Sequence, residues 1–158
     1  MIPSRKLPLA TGVPQIDAHH REFLDHAVRF EAGVAAREPN QRLADLLGFL
    51  ARYARVHLEA EERLLRKARY PALAEHAREH AEFRRRLGAL VTHWESEGSS
   101  AALLLALVGF LDLWLRSHVA VSDQRVGAYL TGSTPLDARA NVTRPRVPRF
   151  PLSTRTDS

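Results

Sequence analysis

Five histidines and two carboxylates recur in this chain at spacings that could build a paired-metal centre: His20; His57 with Glu61; His76 with His80; and His118 with Asp123. His57 and Glu61 are four residues apart, as are His76 and His80, so on a helix each pair projects from one face about one turn apart. A rigid element can then present two donors without ordering a loop. His118 and Asp123 are five apart, which on a regular helix of roughly 3.6 residues per turn separates them by about 140°. Nearly all seven fall where the apolar stripe of a helix belongs, and an apolar interior does not accept so many ionisable groups unless something binds them. A pair of metal ions is the most economical occupant. If both carboxylates and a solvent-derived oxygen bridge two six-coordinate ions, one position stays open for a small exogenous ligand. Imidazole and carboxylate donors without sulfur suit iron best, with manganese and zinc as alternatives.

The elements that must position these groups are helices. Ile16, His20, Phe23, Ala27, Phe30 and Val34 step by four and three, so a first helix is predicted from near Asp17, as cap, to near Glu38, where Pro39 stops it. The second, over residues 40–69, has the stripe Leu43, Leu47, Leu50, Ala54, His57, Glu61, Leu64, Ala68 and closes at Tyr70-Pro71. The third, over 72–97, reads Leu73, His76, His80, Phe83, Leu87, Leu90, Trp94 and ends at Gly98-Ser99. The fourth, over 100–130, reads Leu104, Leu107, Leu111, Trp114, His118, then Asp123, Val126, Leu130. Its phase slips by one residue between His118 and Asp123, which predicts a wide turn of π type there. No window alternates with a period of two. The expectation is an all-α, up-down-up-down four-helix bundle over residues 15–131. An arm (1–14) carrying Pro3, Pro8 and Pro14 precedes it. A tail (132–158), rich in proline and arginine, follows and should be extended or disordered.

Bulk composition narrows the classes. The 158 residues fit one domain with its own core, and the absence of cysteine excludes disulfides and thiolate metal sites. No apolar run near the start resembles a signal peptide. The greasiest stretch, residues 103–115, is interrupted by Asp112 and Trp114 and is too short to span a bilayer, so no membrane segment is expected and a cytoplasmic location is the default. The net charge of +5 is concentrated in the tail arginines, where Phe150 is the lone aromatic. That argues against nucleic acid as a partner.

Four separated pieces of the chain resemble the hemerythrins. Gly12-Val13-Pro14-Gln15-Ile16-Asp17-Ala18-His19-His20 is similar to that family's first-helix motif. His57-Leu58-Glu59-Ala60-Glu61-Glu62 followed by Tyr70-Pro71, His76-x-x-x-His80 with Phe83, and Trp114-Leu115-x-x-His118 with Asp123 complete it. The resemblance implies a cofactor of two iron ions with an oxo or hydroxo bridge. It gives His76, His80 and His118 to one iron and His20 and His57 to the other, with Glu61 and Asp123 bridging. It also implies reversible dioxygen binding at the open position beside His20 and His57. Trp114 matches a family pocket position, and the seams add Phe23 and Leu111 as candidate oxygen-pocket walls. Departures from the family pattern are the arm without an aromatic before Gly12, Leu58 in place of an aromatic, Leu65 where methionine is frequent, and the tail.

The remaining polar residues read as surface. His19, His26 and His93 lie off the seams, Glu59 and Glu62 point away from Glu61, and Arg84-Arg85-Arg86 diverge around a helix. The functional expectation is an oxygen-binding protein for storage, delivery or scavenging, not an enzyme, with dioxygen as partner and the monomer favoured. Alternatives are a di-iron enzyme acting on nitric oxide or peroxide or in iron-cluster repair, and an oxygen or redox sensor or adaptor. For the enzyme, no acid–base group near the open position is identifiable in the sequence.

Overall fold

The computed structural model describes residues 7–36 and 39–133. Among them the regular structure is helical throughout: α1 (Pro14–Ala35), α2 (Pro39–Lys67), α3 (Leu73–Glu97), α4 (Ala101–Trp114), a π segment (Leu115–Ser122) and α5 (Asp123–Thr131). The last three run on as a single rod, so the chain is an all-α bundle of four rods. Each rod packs on the next, and the fourth returns to α1. The expected tail from residue 134 onward lies outside the described residues.

Local chemistry accounts for the boundaries. Ser100 caps α4, its hydroxyl accepting from the Leu103 N–H at 3.1 Å. Gly98 and Gly132 close α3 and α5 at positive φ. The first helix starts earlier than expected: Pro14 occupies its first turn, where a fixed φ and a missing N–H cost nothing. Asp17 is therefore no cap. Its carboxylate reaches backwards instead, accepting from the Thr11 N–H (2.6 Å), the Thr11 hydroxyl (2.7 Å) and the Gly12 N–H (3.3 Å). The helix also stops earlier, at Ala35, where the Ala36 N–H bonds back to Ala32.

That pinned arm belongs to the bundle. Leu7 and Leu9 pack on the core, the Gln124 amide donates to the Pro8 carbonyl at 3.0 Å, and Thr11 is buried. The arm lies so close to α5 that a Cβ on Gly127 would stand 2.2 Å from the Thr11 carbonyl oxygen.

The core comes in two parts. A large cluster, including Phe23, Phe30, Leu50, Leu58, Phe83, Leu107, Leu111 and Leu115, fills most of the bundle. A small one, Ile16, Leu65 and Val126, closes the other end. On every rod the polar seam residues fall between the two clusters. On the seams, Leu65 and Leu103 take the buried places expected of Leu64 and Leu104, which are only partly buried. The fourth rod corrects a further expectation. It is 31 residues long and holds an 18-residue stretch of mean hydropathy 1.6, enough to cross a membrane by length and composition alone, because its apolar run continues past Leu115. Here it is the bundle's most apolar core rod.

Candidate metal centre

All seven expected donors are buried, each with 3% or less of its surface exposed. They converge between the two apolar clusters. Glu61, His76, His80 and His118 place their ligand atoms within 4.8 Å of one another. The Nε2 atoms of His80 and His118 are 3.1 Å apart. His76 Nε2 lies 3.6 Å from Glu61 Oε1 and 3.6 Å from Asp123 Oδ1. Glu61 Oε2 lies 3.6 Å from His80 Nε2 and 3.7 Å from His57 Nε2. Asp123 turns Oδ1 to His118 Nε2 at 3.1 Å and Oδ2 to His20 Nε2 at 2.8 Å. Each carboxylate therefore stands between the His76/His80/His118 group and the His20/His57 group. Two ligands held about 2.1 Å from one cation are themselves about 3 Å or more apart, so such spacings suit donors that share ions.

The backbone that places Asp123 is the π segment. The Asp123 N–H bonds to the His118 carbonyl five residues back, and the wide turn brings both residues to the interior despite their spacing. The phase slip expected from the sequence lies within this segment.

The atoms left without partners test whether cations fit. His57 Nε2, His76 Nε2, both Glu61 oxygens and Asp123 Oδ1 are buried with no hydrogen bond. A buried polar atom left unsatisfied costs about 1–3 kcal/mol. Several such atoms facing one another, all imidazole nitrogen or carboxylate oxygen, fit a bound cation and nothing apolar. Electrostatics within the metal-free cluster are correspondingly divided. Burial, with His19 and His20 nearby, lowers His57 to about 3, and burial with His118 also lowers His80. Burial opposes the charged form of His118, but Asp123 and Glu79 raise it to about 9. Burial would raise Asp123, yet His118 and His20 hold its carboxyl well below the usual range. Burial and the Asp123 charge raise Glu61.

Outer groups orient the rings. The His20 Nδ1–H donates to the Leu9 carbonyl at 2.9 Å, His80 Nδ1–H to Glu62 Oε1 at 2.9 Å, and His118 Nδ1–H to Glu79 Oε2 at 2.5 Å. Each bond fixes Nδ1 as a donor and turns the ring's Nε2 toward the centre, where it can bind a cation once deprotonated. Glu62 is thus no outer-face residue, and Arg84 grips the same oxygen at 3.1 and 3.2 Å. His19 is not outward-facing either. Its ring stands 4.3 Å from that of His57, its Nδ1 is buried, and it lines a small cleft between α1 and α2 with Gln15, His57 and Glu61. His26 stacks on Phe49 at 4.0 Å.

Trp114 stacks on His118 at 3.8 Å and 16°. Phe23 and Leu111 are fully buried in the large cluster on the same side. Tyr53, unremarked in the sequence, joins this wall. Its ring lies 4.6 Å from His57 and 5.0 Å from Phe23, its oxygen accepts from Trp114 Nε1–H at 3.4 Å, and burial pushes its phenol pKa well up. Tyr53 lies one turn before His57, a spacing that could have marked it.

Among known proteins, the family described as the hemerythrin HHE cation binding domain matches residues 11–130. No curated protein and no solved structure matches the chain.

Proposed function

Because this chain belongs to the hemerythrin HHE cation-binding family, we propose that it binds two iron ions and takes up dioxygen reversibly at the position beside His20 and His57, in a cytoplasmic storage, delivery or scavenging role. The observation that carries the reading is the set of buried nitrogen and oxygen donors brought to one centre from all four rods, several of them on the second, third and fourth without any hydrogen-bond partner. His76, His80 and His118 would hold one iron, His20 and His57 the other, with Glu61 and Asp123 between them. When bound, the iron pair supplies the electrons that dioxygen accepts on binding and returns on release. The protein's own groups do the rest. The hydrogen bonds to Leu9, Glu62 and Glu79 fix the imidazole tautomers. Trp114, Phe23 and Tyr53 form a dry wall that excludes water and slows irreversible oxidation. Dioxygen is the partner proposed, and nucleic acid is not.

The test is anaerobic iron reconstitution followed by cycles of oxygen admission and removal. A visible absorption band that appears and disappears over repeated cycles supports the reading. No oxygen-dependent band, or one that bleaches in a single turnover, overturns it.

One observation favours a second reading, reduction of peroxide or nitric oxide. Proton-bearing groups do lie beside His57, namely the Tyr53 phenol and the His19 imidazole. Under that reading Tyr53→Phe lowers steady-state turnover at least tenfold. Under the carrier reading the wild-type protein shows no turnover to lose.

A further inference from the structure

The two histidine groups are backed by different chemistry. Behind His80 stands the Glu62 carboxylate, itself held by the Arg84 guanidinium, and behind His118 stands the Glu79 carboxylate. Behind His20 stands only a peptide carbonyl, that of Leu9, and the ring beside His57 is another imidazole, His19. A carboxylate accepting from the far nitrogen of an imidazole fixes its tautomer and makes the near nitrogen a stronger donor to a cation. A peptide carbonyl fixes the ring with less charge.

Compactness runs the same way. Glu61, His76, His80 and His118 are already gathered within the span of one coordination sphere, whereas His20 meets the cluster through Asp123. A preformed donor set binds without first ordering side chains.

We propose, on the reading that the site holds two cations, that its positions fill in order. The His76/His80/His118 position takes a divalent cation first and more tightly, with Glu62 and Glu79 as the positioning residues that set this preference. The His20/His57 position fills second. At limiting metal the protein then carries one ion, and the position left vacant is the one expected to meet dioxygen.

Titration of the metal-free full chain with Co2+, followed by calorimetry and by the visible cobalt bands, tests the order. Wild type is expected to bind in two steps separated at least tenfold in affinity. Glu62→Gln and Glu79→Gln keep an acceptor for the Nδ1–H but remove its charge. Each should weaken the first step by about 10–100-fold and leave the second within about threefold. His20→Ala should abolish the second step alone. Two ions entering wild type in one step of equal affinity would overturn the ordering while leaving the paired site standing, as would Gln variants that weaken both steps alike. Saturation of wild type at one ion or none would instead remove the paired site itself. Circular dichroism establishes that each variant folds. Glu79, the more exposed of the two carboxylates, supplies the decisive variant if Glu62→Gln does not.

Discussion

Glu61 shows what the cluster costs at the scale of one residue. Both its oxygens are buried without a hydrogen bond, and its ionised form is disfavoured by burial and by Asp123. Glu61→Met keeps the volume and removes the orphaned atoms. The metal-free variant is therefore expected to be more stable than wild type by about 1–3 kcal/mol in urea denaturation and to lose any metal-induced rise in melting temperature. A variant less stable than wild type would mean that the carboxylate is satisfied in the empty protein. The imidazoles give the metal-free protein a pH optimum. His57 is lowered from the ordinary 6.5 to about 3, so below pH 6.5 the unfolded chain binds the extra proton and stability falls as pH falls toward 3. His118 is raised to about 9, so the folded chain holds the extra proton and stability is lost as pH climbs from 6.5 through 9. Melting temperatures of the metal-free protein across pH 4–9 should peak near neutrality; a profile that only rises with pH would contradict the His118 shift, and one that only falls would contradict the His57 shift. The seven donors were legible because each sits on its own helix seam, a property of a dozen neighbouring residues. Glu62, Glu79, His19 and Tyr53 were not, because their roles depend on how one rod is rotated against another.

At the scale of elements, the phase slip between His118 and Asp123 identified the π turn from the sequence, since an inserted residue displaces every later apolar position. Deleting Ala120 would leave the two donors four apart, so a regular α-helix could keep both on the seam. That variant is expected to fold with equal or greater thermal stability. The carboxylate is nevertheless displaced relative to His118, and misplacement of an ångström is enough to degrade a metal site. Metal affinity should fall at least tenfold, measured by competition with a chelator. The start of α1 lies ahead of Asp17 because that carboxylate, a good cap in the sequence alone, is taken by the arm before it. In the structure that arm supplies the Leu9 carbonyl behind His20. Gly127→Ala would drive a methyl group into the Thr11 carbonyl and push the arm away. A loss of about 1–3 kcal/mol in thermal or urea unfolding is expected, together with weaker metal binding at the His20 position.

At the scale of the whole molecule, four rods and their order were readable from stripe lengths and short connections. By length and hydropathy the rod Ala101–Thr131 could cross a membrane; in the bundle it packs against α3 and α1 and carries His118 and Asp123 into the buried cluster. The assembled site joins residues 103 positions apart, as in the contact of His20 with Asp123. A cation that binds only the folded arrangement stabilises it by mass action, about 2.7 kcal/mol at a hundredfold excess over its dissociation constant. Chelation should therefore lower the melting temperature by several degrees, and returning the metal should restore it.

The belt of donors separates the Ile16, Leu65 and Val126 cluster from the main core. With the cations gone, orphaned nitrogen and oxygen atoms divide the two, and the small end is held by far fewer buried apolar side chains than the main core. Segments of low local stability open first and are where proteases cut. The empty protein would then be degraded from that end while the loaded protein survives, so that its abundance in a cell would follow the supply of metal.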